Sequence, residues 1–191
     1  MSEAAPRWRA GCPRSIMDQR IVIVGFMGSG KTTVAKALAA RLGCGLADLD
    51  AIVCAQQNKS VPELINEQGE SSFRDAETAA LQVVLDRQAP RIIALGGGAW
   101  TLERNRELIN KHGCLTVWLD APYDLCWQRI TDQPAPRPLA LDENAARELY
   151  RNRHPLYALA NIRVEVTNKM SADEVAARIT AAIERRVTTR H

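Results

Sequence analysis

Arg20-Ile-Val-Ile-Val24, running straight into Gly25-Phe-Met-Gly-Ser-Gly-Lys-Thr-Thr33, decides the fold of this chain. The first piece is a short β-branched run of the kind that forms a buried strand. Beyond Lys31 the apolar residues Val34, Ala35, Leu38 and Leu42 recur with a helical period, which Gly43 ends. Strand, glycine-rich turn and helix open an α/β fold. Gly25 to Thr32 also fits G-x-x-x-x-G-K-[ST], placed between strand and helix as its chemistry requires. Glycines there let backbone N–H groups wrap a phosphate, and the helix N-terminus adds favourable potential for an anion. Lys31 can reach the β- and γ-phosphates, and the Thr32 hydroxyl can ligate Mg²⁺. An ordinary glycine turn is the alternative, but this setting favours nucleotide binding.

The same alternation continues outward. Short apolar strands are expected at 45–49, 91–95, 114–119 and 162–166. Helices are expected at 51–57, 61–68, 71–87, 102–111, 123–131, 143–152 and 173–186, the last opened by a Ser171/Glu174 capping box. Five short strands, largely apolar on both faces and alternating with helices, predict a parallel sheet covered on two sides. Residues 132–142 hold three prolines and no periodicity, so they are expected to form an exposed, mobile loop between two helices.

Composition sets the limits. The 191 residues suit one domain, spanning 20–186, and 46% hydrophobic with 25% charged residues supports a real core in a soluble protein. Aromatics are only 5%, so that core rests on Ala, Leu, Ile and Val. The net charge is +3, with the 25 basic residues spread along the chain, which argues against a dedicated nucleic-acid binder but allows a basic cleft. No run of 18 apolar residues occurs, which excludes a transmembrane helix. The five cysteines, Cys12, Cys44, Cys54, Cys114 and Cys126, never fall in CxxC or CxxH pairs, which favours free thiols in a reducing cytoplasm over disulfides or zinc. Residues 1–19 lack the apolar run of a secretory signal and are expected to be a disordered extension, with Met17 a candidate start, and 187–191 a disordered tail.

Three further stretches carry candidate chemistry. Asp48-Leu-Asp50 falls at the C-terminal end of the second strand, the edge that faces the ligand crevice in an open parallel sheet. Two carboxylates beside a phosphate loop can divide Mg²⁺ binding from work on an acceptor hydroxyl; the plainer reading makes Asp50 a helix N-cap. Gly96-Gly97-Gly98 follows the third strand, where missing Cβ atoms let a substrate approach the backbone. Arg74 begins a helix whose macrodipole disfavours it, so it is either functional or an i,i+3 partner of Glu77. Arg137 and Arg153 are further guanidinium candidates for carboxylate or phosphate, each by itself readable as a surface charge. His154 reads as a packing residue, and Trp100, Trp118 and Trp127 as core or cleft wall.

In order, the blocks G-F-M-G-S-G-K-T-T, D-L-D, G-E-x-x-F-R-x-x-E, L-G-G-G-A, R-P-L and R-x-P-L-Y resemble the shikimate kinase family over nearly all of the chain from Arg20 to Arg186. The resemblance implies a three-layer P-loop kinase fold with a five-stranded parallel sheet. It also implies transfer of the ATP γ-phosphoryl group to the 3-hydroxyl of shikimate, in the pathway to chorismate and aromatic amino acids. Carried over by residue, Gly28, Ser29, Gly30, Lys31, Thr32 and Thr33 would cradle phosphate, Thr32 and Asp48 would hold Mg²⁺, and Asp50 would bind ring hydroxyls and act as general base. Arg74 and Arg153 would grip the substrate carboxylate, and Gly96, Gly97 and Gly98 would line the ring. Arg137, in a lid at 132–142, would neutralise the transferring phosphoryl group; Arg129 and Lys169 would lie near the nucleotide.

The chain also departs from the family pattern. Leu95 stands where a Thr is usual, Trp100 where a small aliphatic residue is usual, and Ala158-Leu159-Ala160 where an acidic residue commonly follows Pro-Leu-Tyr. Of these, Trp100 falls close enough to the expected cleft to question fine specificity. A kinase for another small hydroxy acid, such as gluconate or an aminoshikimate, and a non-catalytic ligand-sensing module remain as alternatives. A monomer without nucleic-acid or membrane partners is expected.

Overall fold

The computed structural model describes residues 19–87, 90–132 and 142–188. Most of the expected lid, including Arg137, and nearly all of the expected N-terminal extension lie outside these residues. Five parallel strands form one sheet: β1 (Ile21–Val24), β2 (Leu46–Asp48), β3 (Ile92–Ala94), β4 (Leu115–Asp120) and β5 (Ile162–Glu165), in the order β2-β3-β1-β4-β5. The register pairs Ile23 with both Ala94 and Val117, and Asp48 with Ala94, so the strands end along one edge. The helices are α1 (Lys31–Leu42), α2 (Leu49–Gln57), α3 (Val61–Asp86), α4 (Glu103–Lys111), α5 (Tyr123–Thr131), α6 (Glu143–Tyr157) and α7 (Ala172–Thr188).

β1 and β3 are buried at every position, as their unbroken apolar runs require, whereas β5 alternates buried and exposed. That alternation departs from the expected two-sided burial, because β5 is an edge strand: Arg163 and Glu165 face solvent and Ile162 and Val164 face the core. α1 packs on α7 and α3 on α4, closing one continuous core of Val, Leu, Ile and Ala with the buried Trp100, Trp118 and Tyr157.

Two helical details matter for the site. α3 is broken at Gly69 (φ 83°, ψ 159°), which separates the two helical runs read from sequence and restarts the chain at Glu70 just before Arg74. α6 continues through Pro155 to Tyr157, five residues past the expected end at Asn152. The proline removes one backbone donor in the last turn, and side-chain bonds from the glycine loop hold that turn in place. Asp48, not Asp50, caps α2: its Oδ1 accepts from Ala51 N at 3.2 Å.

Candidate active site

Turns that follow the strands along the shared carboxyl edge bring the motif residues together. The phosphate loop is shaped from below by α5. Gly28 has φ 76°, and a Cβ there would collide with the Cys126 carbonyl. Gly30 (φ 94°) precedes α1, which has neither a side-chain N-cap nor an acidic residue in its first turn. By contrast, α2 is capped by Asp48 and α3 by a Ser60/Glu63 capping box. The start of α1 therefore keeps donors and positive potential for an anion. Lys31 Nζ donates to Phe26 O at 2.9 Å, curled over the loop, and Arg129 reaches from α5 to donate to Gly28 O at 3.2 Å.

At the far side of the loop, Thr32 Oγ1 donates to Asp48 Oδ2 at 2.7 Å. A hydroxyl and a carboxylate held this way beside a phosphate cradle are hard oxygen donors of the kind Mg²⁺ takes, so the residues present fit that ion. Gly28, Ser29, Gly30, Lys31, Thr32 and Thr33 all line a cleft of about 510 Å³, with Arg129. The cleft extends along Val166, Met170, Ser171 and Val175, a largely apolar wall that begins in the turn expected to lie near the nucleotide. Lys169 is exposed in that turn and is not brought to the wall, so its expected nucleotide contact has no support in this geometry.

A second, narrow pocket of about 60 Å³ adjoins the cleft, and Met27, Asp50 and Gly97 line both. Arg74 and Arg153 meet there from α3 and α6, although both are buried, at 9% and 7% exposure. Val61, Ile65 and Phe73 supply an apolar side. Both readings of Arg74 hold at once: it lines the pocket, and it is fixed by Glu77 at 2.5 Å and Glu70 at 2.8 Å. Burial pulls the Arg74 guanidinium down, but the charges of Glu77 and Glu70 outweigh this and leave it raised. Arg153 has no acid so close; burial lowers it, and Arg74 lowers it further against an opposing contribution from Tyr157. Two guanidinium groups lining one confined pocket suit an anionic ligand there.

Glu77 is the residue that sequence reasoning undervalued. It is fully buried, one oxygen on Arg74 and the other, Oε1, without a hydrogen-bond partner. Burial pushes its carboxyl up to about 7, Arg74 opposing and Asp50 adding to the rise. Its place in F-R-x-x-E was visible, but only the fold shows that the helix face carrying it looks into the pocket. The triple glycine also has a more local cause than substrate approach. A Cβ at Gly96 would strike Glu77 and Asp50, and one at Gly98 would strike Arg74. Trp100 does not line the pocket: it is 2% exposed, in a 3₁₀ turn (Ala99–Thr101), and its indole N–H is spent on Leu156 O at 2.8 Å.

A family model described as shikimate kinase matches residues 27–184. The chain belongs to the shikimate kinase family. The shikimate kinase of Ruegeria pomeroyi is 38% identical over 173 residues, covering 89% of this chain and 87% of that one. That of Rhizobium meliloti is 34% identical over 172 residues, covering 87% and 88%. Among solved structures, shikimate kinase from Acinetobacter baumannii in complex with shikimate superposes with a TM-score of 0.82 at 33% identity, covering 91% of this chain and 98% of the other. A gluconokinase from Sinorhizobium meliloti, at 16% identity and TM-score 0.62, shares the fold alone.

Proposed function

We propose that this chain transfers the γ-phosphoryl group of ATP to the 3-hydroxyl of shikimate, releasing ADP, shikimate 3-phosphate and a proton. The observation that carries this is the convergence of Arg74 and Arg153 in a pocket that opens onto the phosphate loop past Asp50. The arginine pair suits a carboxylate, the Val61, Ile65 and Phe73 side suits a carbocyclic ring, and Asp50 stands between ring and phosphates. Family membership adds weight, as does the relative whose structure was solved with shikimate.

Phosphoryl transfer proceeds through a loose transition state, so catalysis is mainly positioning and charge neutralisation. Asp50 orients the acceptor hydroxyl and takes its proton, while Gly97 and Gly98 line the pocket in which the ring lies and Gly96, outside that lining, leaves room for Asp50 and Glu77. Lys31, with the backbone N–H groups of Gly28 to Thr33, holds the phosphates, and Arg129 secures the loop. Arg137 is assigned to the transferring group from its sequence block alone, in a lid that would exclude water and suppress ATP hydrolysis. Thr32 and Asp48 are the residues that would hold Mg²⁺, which when bound supplies positive charge to the phosphate oxygens. Adenine is assigned to the Val166–Met170–Val175 side of the cleft. The enzyme is proposed to act as a cytoplasmic monomer. Among the described residues, only Val83 and Leu159 are large exposed hydrophobics, too few for an obligate interface, and Cys54, Cys114 and Cys126 carry free thiols.

NMR of the product tests the reading: the new phosphoester should sit on the shikimate 3-hydroxyl. Asp50→Asn should lose most of kcat while leaving the KM for ATP near wild type. Phosphorylation at another hydroxyl, or ATP consumption without an organic phosphate, would overturn it.

A further inference from the structure

Arg153 is the less secured of the two pocket arginines. It sits two residues before Pro155, whose missing N–H deprives the Arg151 carbonyl of its helical partner, in the last turn of a helix. Such a turn frays unless something outside the helix holds it. Two side chains do so. Tyr157, 1% exposed, donates its hydroxyl to Gly97 O at 2.5 Å, and the Arg153 guanidinium, one turn earlier on the same helix, lies near enough for the two side chains to interact electrostatically. Its ring lies nearly parallel to that of Trp118 from β4, at 6.4 Å and 26°, which fixes the direction of the hydroxyl. From the glycine-loop side, Trp100 Nε1 donates to Leu156 O at 2.8 Å. The last turn of α6 and the glycine loop are thus bonded to each other in both directions.

We infer that Tyr157 is a positioning residue for the acceptor: its hydroxyl ties the last turn of α6, which carries Arg153, to the Gly97 carbonyl, so that the carboxylate grip and the glycine loop beneath the substrate move as one piece, with Trp100 as the second pin. The bonds between helix and loop run Tyr157 O–H to Gly97 oxygen and Trp100 N–H to Leu156 oxygen, on either side of the turn that holds Arg153. A guanidinium aimed before the substrate arrives loses less freedom on binding, which raises affinity without a new contact. Trp100, the large residue in place of a small one, belongs to this clamp; it acts on the pocket through α6 and not as a wall against substrate.

This inference rests on the shikimate kinase reading, and a double-mutant cycle tests the two separately. The readouts are kcat/KM for shikimate at saturating ATP, the KM for ATP, and kcat, for wild type, Tyr157→Phe, Arg153→Ala and the double variant. Tyr157→Phe should lower kcat/KM for shikimate about 3- to 10-fold, mainly through KM, with kcat and the KM for ATP near wild type. In the Arg153→Ala background the same change should have almost no effect, because the group it positions is gone. An equal loss in both backgrounds, or no loss in either, overturns the inference, since packing alone would not depend on Arg153. Wild-type enzyme that fails to phosphorylate shikimate overturns the functional reading and this inference with it. Should Tyr157→Phe not fold, Trp100→Phe carries the same cycle. Leu156 O also accepts from Leu159 N at 3.2 Å, so that change strands no buried carbonyl. Its effect on kcat/KM should likewise vanish when Arg153 is absent, and persistence there would contradict the clamp.

Discussion

Asp50 Oδ1 and Glu77 Oε1 converge on one side of Gly96, in the space that a Cβ at that position would fill. Two acidic groups from different helices, α2 and α3, are brought together only because this backbone position carries no side chain. Gly96→Ala should therefore displace one carboxylate, at a cost of about 1–3 kcal/mol in stability, and lower kcat/KM for shikimate far more than for ATP. Urea unfolding and steady-state kinetics check it; wild-type values in both would show that the space is not needed.

The raised Glu77 carboxyl has a pH signature. Its folded value of about 7 lies above the ordinary 4.5, so between these values the folded state holds a proton that the unfolded chain releases. Its contribution is full below the unfolded pKa and is lost as pH rises through about 7, on the order of a few kcal/mol. Arg74 and Arg153 reduce the effect and Asp50 increases it. Glu77→Gln cannot titrate, so its unfolding free energy should fall less than wild type between pH 5 and 8, by about the amount just given. Parallel curves for the two proteins would mean that Glu77 titrates normally.

Arg74→Lys and Arg153→Lys keep the charge and lose the planar fork. Each should lower kcat/KM for shikimate about 10- to 150-fold, leave ATP binding unchanged, and combine non-additively. The two should differ in stability. Lysine at 74 weakens the bond to the fully buried Glu77, whereas Arg153 has no such acid, so thermal denaturation should separate them. Normal shikimate kinetics in both would remove the carboxylate assignment.

Asp48 has two tasks on two oxygens, capping α2 and receiving the Thr32 hydroxyl. Asp48→Asn keeps a cap while losing the charge; Asp48→Ala loses both and about 1 kcal/mol of stability. Titrating MgCl₂ at fixed ATP should show a raised Mg²⁺ requirement in both variants, with lowered stability in the Ala variant alone. An unchanged Mg²⁺ requirement in both would leave Asp48 as a cap only.

The order of elements and the strand edge carrying the site were legible because glycine breaks and apolar periods are local signals: Gly43, Gly69 and the run Ile21–Val24 each state their structure unaided. The end of α6 was not legible at 152, because Pro155 has a real local cost and the bonds that offset it come from Trp100 and Tyr157, whose partners lie dozens of residues away along the chain. Asp48 and Asp50 were legible as a pair, but which one caps α2 depends on where β2 ends. Glu77 was legible as a partner of Arg74, and its burial was not, since that follows from the packing of Gly96 against α3. The turn around Met170 was legible as a stretch near the nucleotide, whereas Val166 and Val175 join it as a wall only when β5 and α7 are set beside the phosphate loop.

The most direct measurement is a coupled assay of ADP release by the purified chain with saturating Mg·ATP and a panel of acceptors: shikimate, quinate, gluconate and nucleoside monophosphates. A pocket built on Arg74, Arg153 and Asp50 should give a kcat/KM for shikimate at least about 100-fold above every other acceptor, the scale on which buried polar groups reject an ill-matched ligand. Equal or greater kcat/KM with gluconate or a nucleoside monophosphate, or no turnover of shikimate, would contradict it.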